Sequence, residues 1–226
     1  MTSWPDTTRE VALPELRIAD PSERDDLGAF VARAVRLDAQ CLVRLRARAG
    51  SELVDAWAAT PFDTLAVRSV AGTVEPADVT VSGNELLAAL AVVGGEKLDL
   101  GPAMDLMWRS QLPPSEGWRH VDDLPARVVS DLADRGVAVA RENLGPHGTP
   151  PASLLDQTVL TVSGAGLEVR IPLRCLFALF GMGFLGPEAR NGEDVVRISA
   201  TDSWLRMDAR YGAVVRRRHT LLPLLV

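Results

Sequence analysis

Apolar residues fall first at helical spacing. After Asp20-Pro21-Ser22-Glu23, the positions Leu27, Phe30, Val31, Ala34 and Val35 form one stripe. Asp20 can cap that helix, Pro21 suits its first position and Glu23 can complete a capping box, which predicts a helix running to about Asp38. The period then drops to two. Segments 41–49, 52–58 and 64–70 alternate, separated by Gly50-Ser51 and by Thr60-Pro61-Phe62-Asp63, and they read as an antiparallel meander. In the first of these strands Val43, Leu45 and Ala47 point one way, and Arg44, Arg46 and Arg48 the other.

Val79-Thr80-Val81 makes a short strand, and Ser82 with Glu85 forms a second capping box ahead of Leu86, Leu87 and Leu90, a helix that Gly94-Gly95 should stop. A short strand is expected around Leu106 and Trp108, and Pro113-Pro114-Ser115-Glu116-Gly117 is the candidate turn between domains. From Asp123 to Leu144 a second long stripe runs through Val129, Ala133, Gly136 and Ala140, ended by Gly145, with Asp122-Asp123 placed to cap it. A hairpin over 158–162 and 167–171 follows. Then comes a helix from about Pro172 to Phe184, nearly apolar all round and therefore expected to be buried, and three strands near 195–200, 203–209 and 212–218.

These elements predict an α+β fold in two halves, 1–112 and 119–226, each an antiparallel meander packed on helices. Val79, Val81, Leu86, Leu87 and Ala88 match Val169, Ile171, Leu176, Phe177 and Ala178 at a constant offset, and Leu106 and Trp108 then align with Val196 and Ile198. A pseudo-repeat and a coincidence of apolar patterns both account for the match.

Composition narrows the class. Of 226 residues, 47% are hydrophobic and 24% charged, the balance of an ordinary globular chain. The longest apolar stretch, Ile171 to Leu185, is broken by Arg174 and falls short of the ~20 residues a membrane span needs. Met1-Thr2-Ser3-Trp4-Pro5-Asp6 has neither the basic start nor the apolar run of a secretory signal, so a cytoplasmic location is expected. Cys41 and Cys175 lie far apart in apolar-periodic segments, as buried thiols do. A net charge of -6 argues against broad capture of nucleic acid, which is driven by releasing counterions onto Lys and Arg. Lys97 is the single lysine, an arginine bias typical of a GC-rich genome.

No catalytic, cofactor or metal residue emerges. Gly181-x-Gly183-x-x-Gly186 matches the dinucleotide fingerprint but follows a helical pattern and precedes a polar turn, whereas the fingerprint needs a strand before it and a helix after. These glycines are expected to end a helix. His120, His147 and His219 stand alone, and no G-x-S-x-G elbow occurs. The densest basic cluster, Arg216-Arg217-Arg218-His219, precedes an apolar tail over 221–226. With Arg44 and Arg46 it supplies the candidate residues for binding a partner or an anion. Trp57, Trp108, Trp118 and Trp204 beside Arg44, Arg46 and Arg206 offer the ingredients of a stacking surface for bases.

Two stretches, Arg36-Leu37-Asp38 leading into Leu42-Val43-Arg44-Leu45-Arg46, and Ile171 to Leu179 leading into Val196 to Thr201, resemble an uncharacterised actinobacterial family. The order of a capped helix, a meander and a short strand entering a helix also resembles the repeat of sliding DNA clamps. That likeness implies basic helices lining a hole and tracking phosphates, yet the helix after Ser82 carries no Lys or Arg and the one after Pro172 only Arg174. The expectation is a non-catalytic protein acting by protein-protein binding, with a partner or as a homodimer through its C-terminal tail, needing no cofactor and no membrane. The alternatives are an enzyme with a motif-free site between the halves, or a clamp-like accessory protein associated with nucleic acid.

Overall fold

The computed structural model describes residues 13–92, 96–143, 150–190 and 192–218. The chain runs β1 (Glu15–Arg17), α1 (Pro21–Leu37), β2 (Leu42–Ala47), β3 (Leu53–Thr60), β4 (Thr64–Ala71), β5 (Thr73–Glu75), β6 (Asp78–Ser82), α2 (Gly83–Ala91) and β7 (Lys97–Asp99). After a 3-10 turn at Asp105–Met107 come β8 (Arg119–Pro125), α3 (Ala126–Glu142), α4 (Ala152–Leu155), β9 (Thr158–Gly164), β10 (Leu167–Pro172) and α5 (Leu173–Gly181). A second 3-10 turn at Pro187–Arg190 leads to β11 (Val195–Ala200), β12 (Trp204–Ala209) and β13 (Gly212–Arg217).

One eight-stranded antiparallel sheet carries both halves, in the order β6-β2-β3-β4-β13-β12-β11-β8. Its centre is the pair β4 and β13, where Val67, Ala66 and Leu65 oppose Ala213, Val214 and Val215. The order reads alike from either edge: a strand that leads into a helix (β6 into α2, β8 into α3), then three strands that end at the central seam. Around the seam, β1-α1-β2-β3-β4 answers β10-α5-β11-β12-β13. Smaller sheets, β5-β1-β7 and β10-β9, flank the large one.

Alternation gives the large sheet two different faces. Val43, Leu45, Ala56, Ala66, Ile198, Met207 and Val214 point to the helical side and join the main core with Phe30, Leu86, Val129 and Leu176. Trp57, Leu65, Val67, Trp204, Ala213 and Val215 point to the other side, where Trp108, Leu112 and Trp118 pack over them. The segment between the halves is therefore a strap laid across the seam. The tryptophans pack against apolar neighbours, and Trp57 and Trp204 are buried, so these two of the four that could have built a stacking surface offer no open face to a base.

Asp20 caps α1, accepting from the Ser22 amide at 2.8 Å. Glu23 does not close a box; its carboxylate accepts from the Ala71 amide and ties α1 to the end of β4. Ser82 caps α2 as expected, and the carbonyls at the far end of α2 are met by Arg24, which donates to Leu90 and Val92. Asp122 and Asp123 lie in β8, not at a helix cap, because the strand continues to Pro125 and α3 starts behind it. The strand expected at Leu106 and Trp108 is instead the 3-10 turn. Asp105 accepts from the Thr80 amide at 2.6 Å and the Met104 amide donates to the Thr80 carbonyl at 2.7 Å, so this turn seals the edge of β6 rather than extending the sheet. The offset that relates β6-α2 to β10-α5 joins two strand-helix units but does not follow the order of the sheet, which sets β6-α2 against β8-α3 and β1-α1 against β10-α5, and the alignment of Leu106 and Trp108 with β11 does not hold either. The helix stops expected at Gly94-Gly95 and Gly145, together with His147, His219 and the tail 221–226, lie outside the described residues.

Candidate functional site

Three consecutive arginines leave β13 at the seam, and each is held differently. Arg216 is turned inward, its side chain 7% exposed, with Asp63 at 3.3 Å and Asp156 at 3.6 Å. Beside it Arg174, from the first turn of α5, is equally buried; it donates to Asp156 and to the Phe62 carbonyl at 3.0 Å. Asp63 belongs to the β3–β4 turn of the first half and sits at φ 54°, a left-handed conformation that aspartate tolerates better than most residues. This ionic cluster thus joins the two halves at one end of the seam.

Arg217 points the opposite way and lies over the Trp204 ring, 5.7 Å from its centre. Arg218 donates to the carbonyls of Thr201 at 2.9 Å and Glu168 at 2.5 Å. Aromatic faces and carbonyls orient a guanidinium without cancelling its charge. Among the described residues no carboxylate pairs with Arg217, Arg218 or Arg109. Arg109 arrives from the strap, just after Trp108, whose indole donates to the Ser110 carbonyl at 2.5 Å.

These arginines line a cleft of about 720 Å³ between the β3–β4 turn, the strap and the ends of β12 and β13. Thr60, Thr64, Ser110, Gln111 and Ser203 add hydroxyl and amide groups, and Asp63, engaged with Arg216, is the one carboxylate on its wall among the described residues. A neighbouring cleft of about 610 Å³ shares Arg216, Arg217 and Arg218 but also holds Asp156, Glu168 and Asp202, so its charge is closer to balance.

The sequence-derived candidates therefore separate. Arg217 and Arg218 reach the cleft, whereas Arg216 serves mainly as its inner wall. Arg44 and Arg46 lie on the β2 outer face, where Arg44 forms a two-pronged pair with Asp78 at 2.7 and 2.8 Å and lies 6.0 Å from the Trp108 ring centre, and Arg46 approaches Asp78 at 3.7 Å. The Asp78 carboxylate is the first cause of the raised Arg44 pKa. Arg109 was not legible as a site residue, because a lone arginine in a Pro-rich segment gives no pattern. Its only signal is the adjacent tryptophan that anchors the strap.

Gly183 and Gly186 adopt φ 63° and 73° in the turn after α5, and the amides of Gly183 and Phe184 donate to the Phe180 and Leu179 carbonyls, so this stretch closes a helix as the sequence implied. Cys175 is fully enclosed, and burial pushes its thiol up to about 12 despite the opposing effect of Arg216 and Arg174. Among the described residues, no group of three metal-ligating side chains converges. No described helix is long and apolar enough to cross a membrane.

The helical face is electrically balanced. On α1, Glu23, Asp25 and Asp26 offset Arg24, Arg33 and Arg36; on α3, Asp131, Asp134 and Glu142 offset Arg127, Arg135 and Arg141. Such a surface has no net field with which to follow a phosphate backbone.

Comparison with known proteins fits this architecture. Over 94% of its length the chain superposes on the DNA polymerase sliding clamp from Bacillus subtilis, with TM-score 0.57 and 11% identity, covering 66% of that chain. The DNA polymerase sliding clamp from Pseudomonas aeruginosa gives TM-score 0.55 at 11% identity, with 94% of this chain and 66% of that one covered. The clamp from Caulobacter crescentus gives 0.55 at 12%, with 94% and 67% covered. The chain thus spans about two thirds of the length of these clamps. No curated protein matches it. Residues 12–110 match the domain of unknown function DUF8010 and residues 113–221 match the domain of unknown function DUF8185. The chain is thus an α+β protein of sliding-clamp fold, one half matching one domain family of unknown function and the other half a second.

Proposed function

We propose that this is a non-catalytic binding protein that engages another protein through the cleft beside Trp204, with residues 1–112 and 119–226 acting as two halves of one platform. One observation carries the proposal: a formed cleft lined by Arg109, Arg217 and Arg218, none paired with a carboxylate among the described residues, lies where both halves and the strap meet. Arg217 and Arg218, held at a junction of elements, suit recognition, since their orientation is fixed before the partner arrives. The proteins it superposes on are DNA polymerase sliding clamps, and an accessory role in such a setting would fit this chain. The balanced charge on α1 and α3 favours protein over nucleic acid as the ligand, and such a role is compatible with a cytoplasmic location.

The test is affinity capture from a cell extract with the full chain and with a Ser110→Trp variant that fills the cleft. A defined protein retained by the first and lost by the second supports the proposal. Identical capture by the two baits counts against it. A thermal-shift screen of nucleotides, acyl-CoAs and divalent metals separates the enzymatic alternative: a ligand at ~100 times its dissociation constant adds ~2.7 kcal/mol, and a clear shift with any of them would favour an enzyme. Sedimentation over a range of concentrations tests the homodimer.

A further inference from the structure

We infer that the occupant of this cleft is an acidic segment of a partner protein, an inference that rests on the protein-binding function proposed above. The reason is the charge balance at one site in a chain whose overall charge is -6. Among the described residues, Arg109, Arg216, Arg217 and Arg218 line the cleft against the single carboxylate of Asp63, a local excess of positive charge on an acidic molecule.

The way the arginines are held sharpens the point. Arg216 and Arg174 already engage the nearby carboxylates, Asp63 and Asp156, and both arginines are buried. Two outer guanidiniums are oriented by groups that carry no charge, Arg217 by the Trp204 ring and Arg218 by two carbonyls, and Arg109 stands exposed on the strap next to Trp108. A guanidinium presents a planar fork of donors that matches a carboxylate in two-pronged fashion, and the hydroxyls of Ser110 and Ser203 can complete the hydrogen bonding of its oxygens.

Peptide fits better than nucleic acid for two reasons. A phosphate backbone repeats its charge along a line and needs a long basic track, whereas here the neighbouring cleft sets Asp156, Glu168 and Asp202 against Arg170 and the shared arginines and so interrupts the basic surface. The aromatic platform a base would need is also missing, since Trp204 is 7% exposed and covered by Arg217. A peptide with two or more carboxylates, spaced by residues that contact the threonine and serine walls, meets both conditions.

The experiment is selection of a phage-displayed library of random dodecapeptides on the full chain, with counter-selection on the Arg109→Gln/Arg217→Gln double variant. A second double variant, Arg127→Gln/Arg141→Gln, changes net charge equally but on α3. Thermal melting confirms that both variants stay folded. Selected peptides should be rich in Asp and Glu. Their affinity should fall about tenfold or more for each cleft arginine lost, while the α3 variant binds as wild type. If the selection instead returns apolar peptides that depend on the cleft but carry no acid, the acidic inference falls and the protein-binding proposal stands. If no peptide depends on the cleft, and blocking it with Ser110→Trp changes no capture, both fall. Tighter cleft-dependent binding of single-stranded or duplex oligonucleotides than of any peptide would overturn the choice of protein as the ligand.

Discussion

Arg216 and Asp63 meet across the central seam, with a buried guanidinium from the last strand 3.3 Å from a carboxylate that is 76% exposed. Asp156, 49% exposed, serves both Arg216 and Arg174. The arginines are thus the desolvated partners, and the acids keep most of their water. Removing an acid and removing an arginine should therefore have unequal effects. Asp156→Ala leaves Arg174 buried without its main counter-charge and should cost about 2–3 kcal/mol, somewhat below the usual range for a fully buried pair because Asp156 is half-solvated. Arg216→Met keeps the packed stem, frees Asp63 to water and should cost under about 1 kcal/mol. Urea melts with an unchanged m value measure both. Equal costs would mean that the pairs act through packing alone.

Two glycines should respond in opposite directions to the same substitution. Gly28, inside α1, has nothing within 4 Å of the place where a Cβ would stand, so Gly28→Ala should stabilise the protein by up to about 1 kcal/mol through helix propensity. Gly164, at the end of β9, would place a Cβ 2.1 Å from the carbonyl oxygen of Val121 in β8. Backbone on both sides cannot yield as a side chain can, so Gly164→Ala should destabilise by about 2–3 kcal/mol and separate the β10-β9 hairpin from the edge of the large sheet. Hydrogen exchange at the Val121 and Val162 amides reports the separation.

Much of the fold was legible because local rules agreed with tertiary ones. Asp20 and Ser82 announced their helices, and the alternation of Val43 and Leu45 with Arg44 and Arg46 set the faces of β2. The run from Leu173 to Leu179, apolar but for Arg174, marked a buried helix. What failed depended on partners distant in sequence. Nothing local shows that Leu65 will face Val215, so the union of both halves in one sheet was hidden. Trp108 read as a strand residue because its burial comes from Arg44 and the outer face of the sheet and not from a ladder. Arg217 and Arg218 stand out as candidates because three arginines in a row are conspicuous, but only the structure separates their roles from that of Arg216. Arg109 needed the path of the strap.

The two cysteines should report unfolding and little else. Burial holds the Cys41 thiol up at about 11 and the Cys175 thiol at about 12, so neither forms thiolate in the native protein near neutral pH. In the unfolded chain both return to about 8.5. Their protonated state therefore stabilises the fold below about pH 8.5, and this contribution is lost as pH rises toward 11 and 12. At about pH 8, labelling by a disulfide exchange reagent should be slow in the native state and follow the rate of opening, with both thiols reacting promptly in urea. Rapid native labelling of Cys175 would mean that the α5 core opens independently of the rest.

Asp20 gives a pH-dependent test of how α1 is anchored. Its carboxylate accepts from the backbone amide and the hydroxyl of Ser22, at 2.8 and 2.9 Å, and the amide bond is the first cause of a pKa below the usual aspartate value. A depressed carboxylate stabilises the fold above its unfolded pKa, and that contribution disappears as pH falls through the folded value. Asp20→Asn retains a side-chain oxygen able to cap but carries no charge, so it removes the charge-dependent part and leaves the geometry. The melting temperatures of wild type and Asp20→Asn should differ at about pH 7, converge as pH falls below about 4, and coincide once the wild-type carboxyl is protonated. Asp20→Ala should instead stay below both at every pH, because it loses the cap itself. A constant gap between wild type and Asp20→Asn across this range would show that the charge contributes nothing, and that the start of α1 is held by the Glu23 bond to Ala71 and by packing of Leu27 and Phe30.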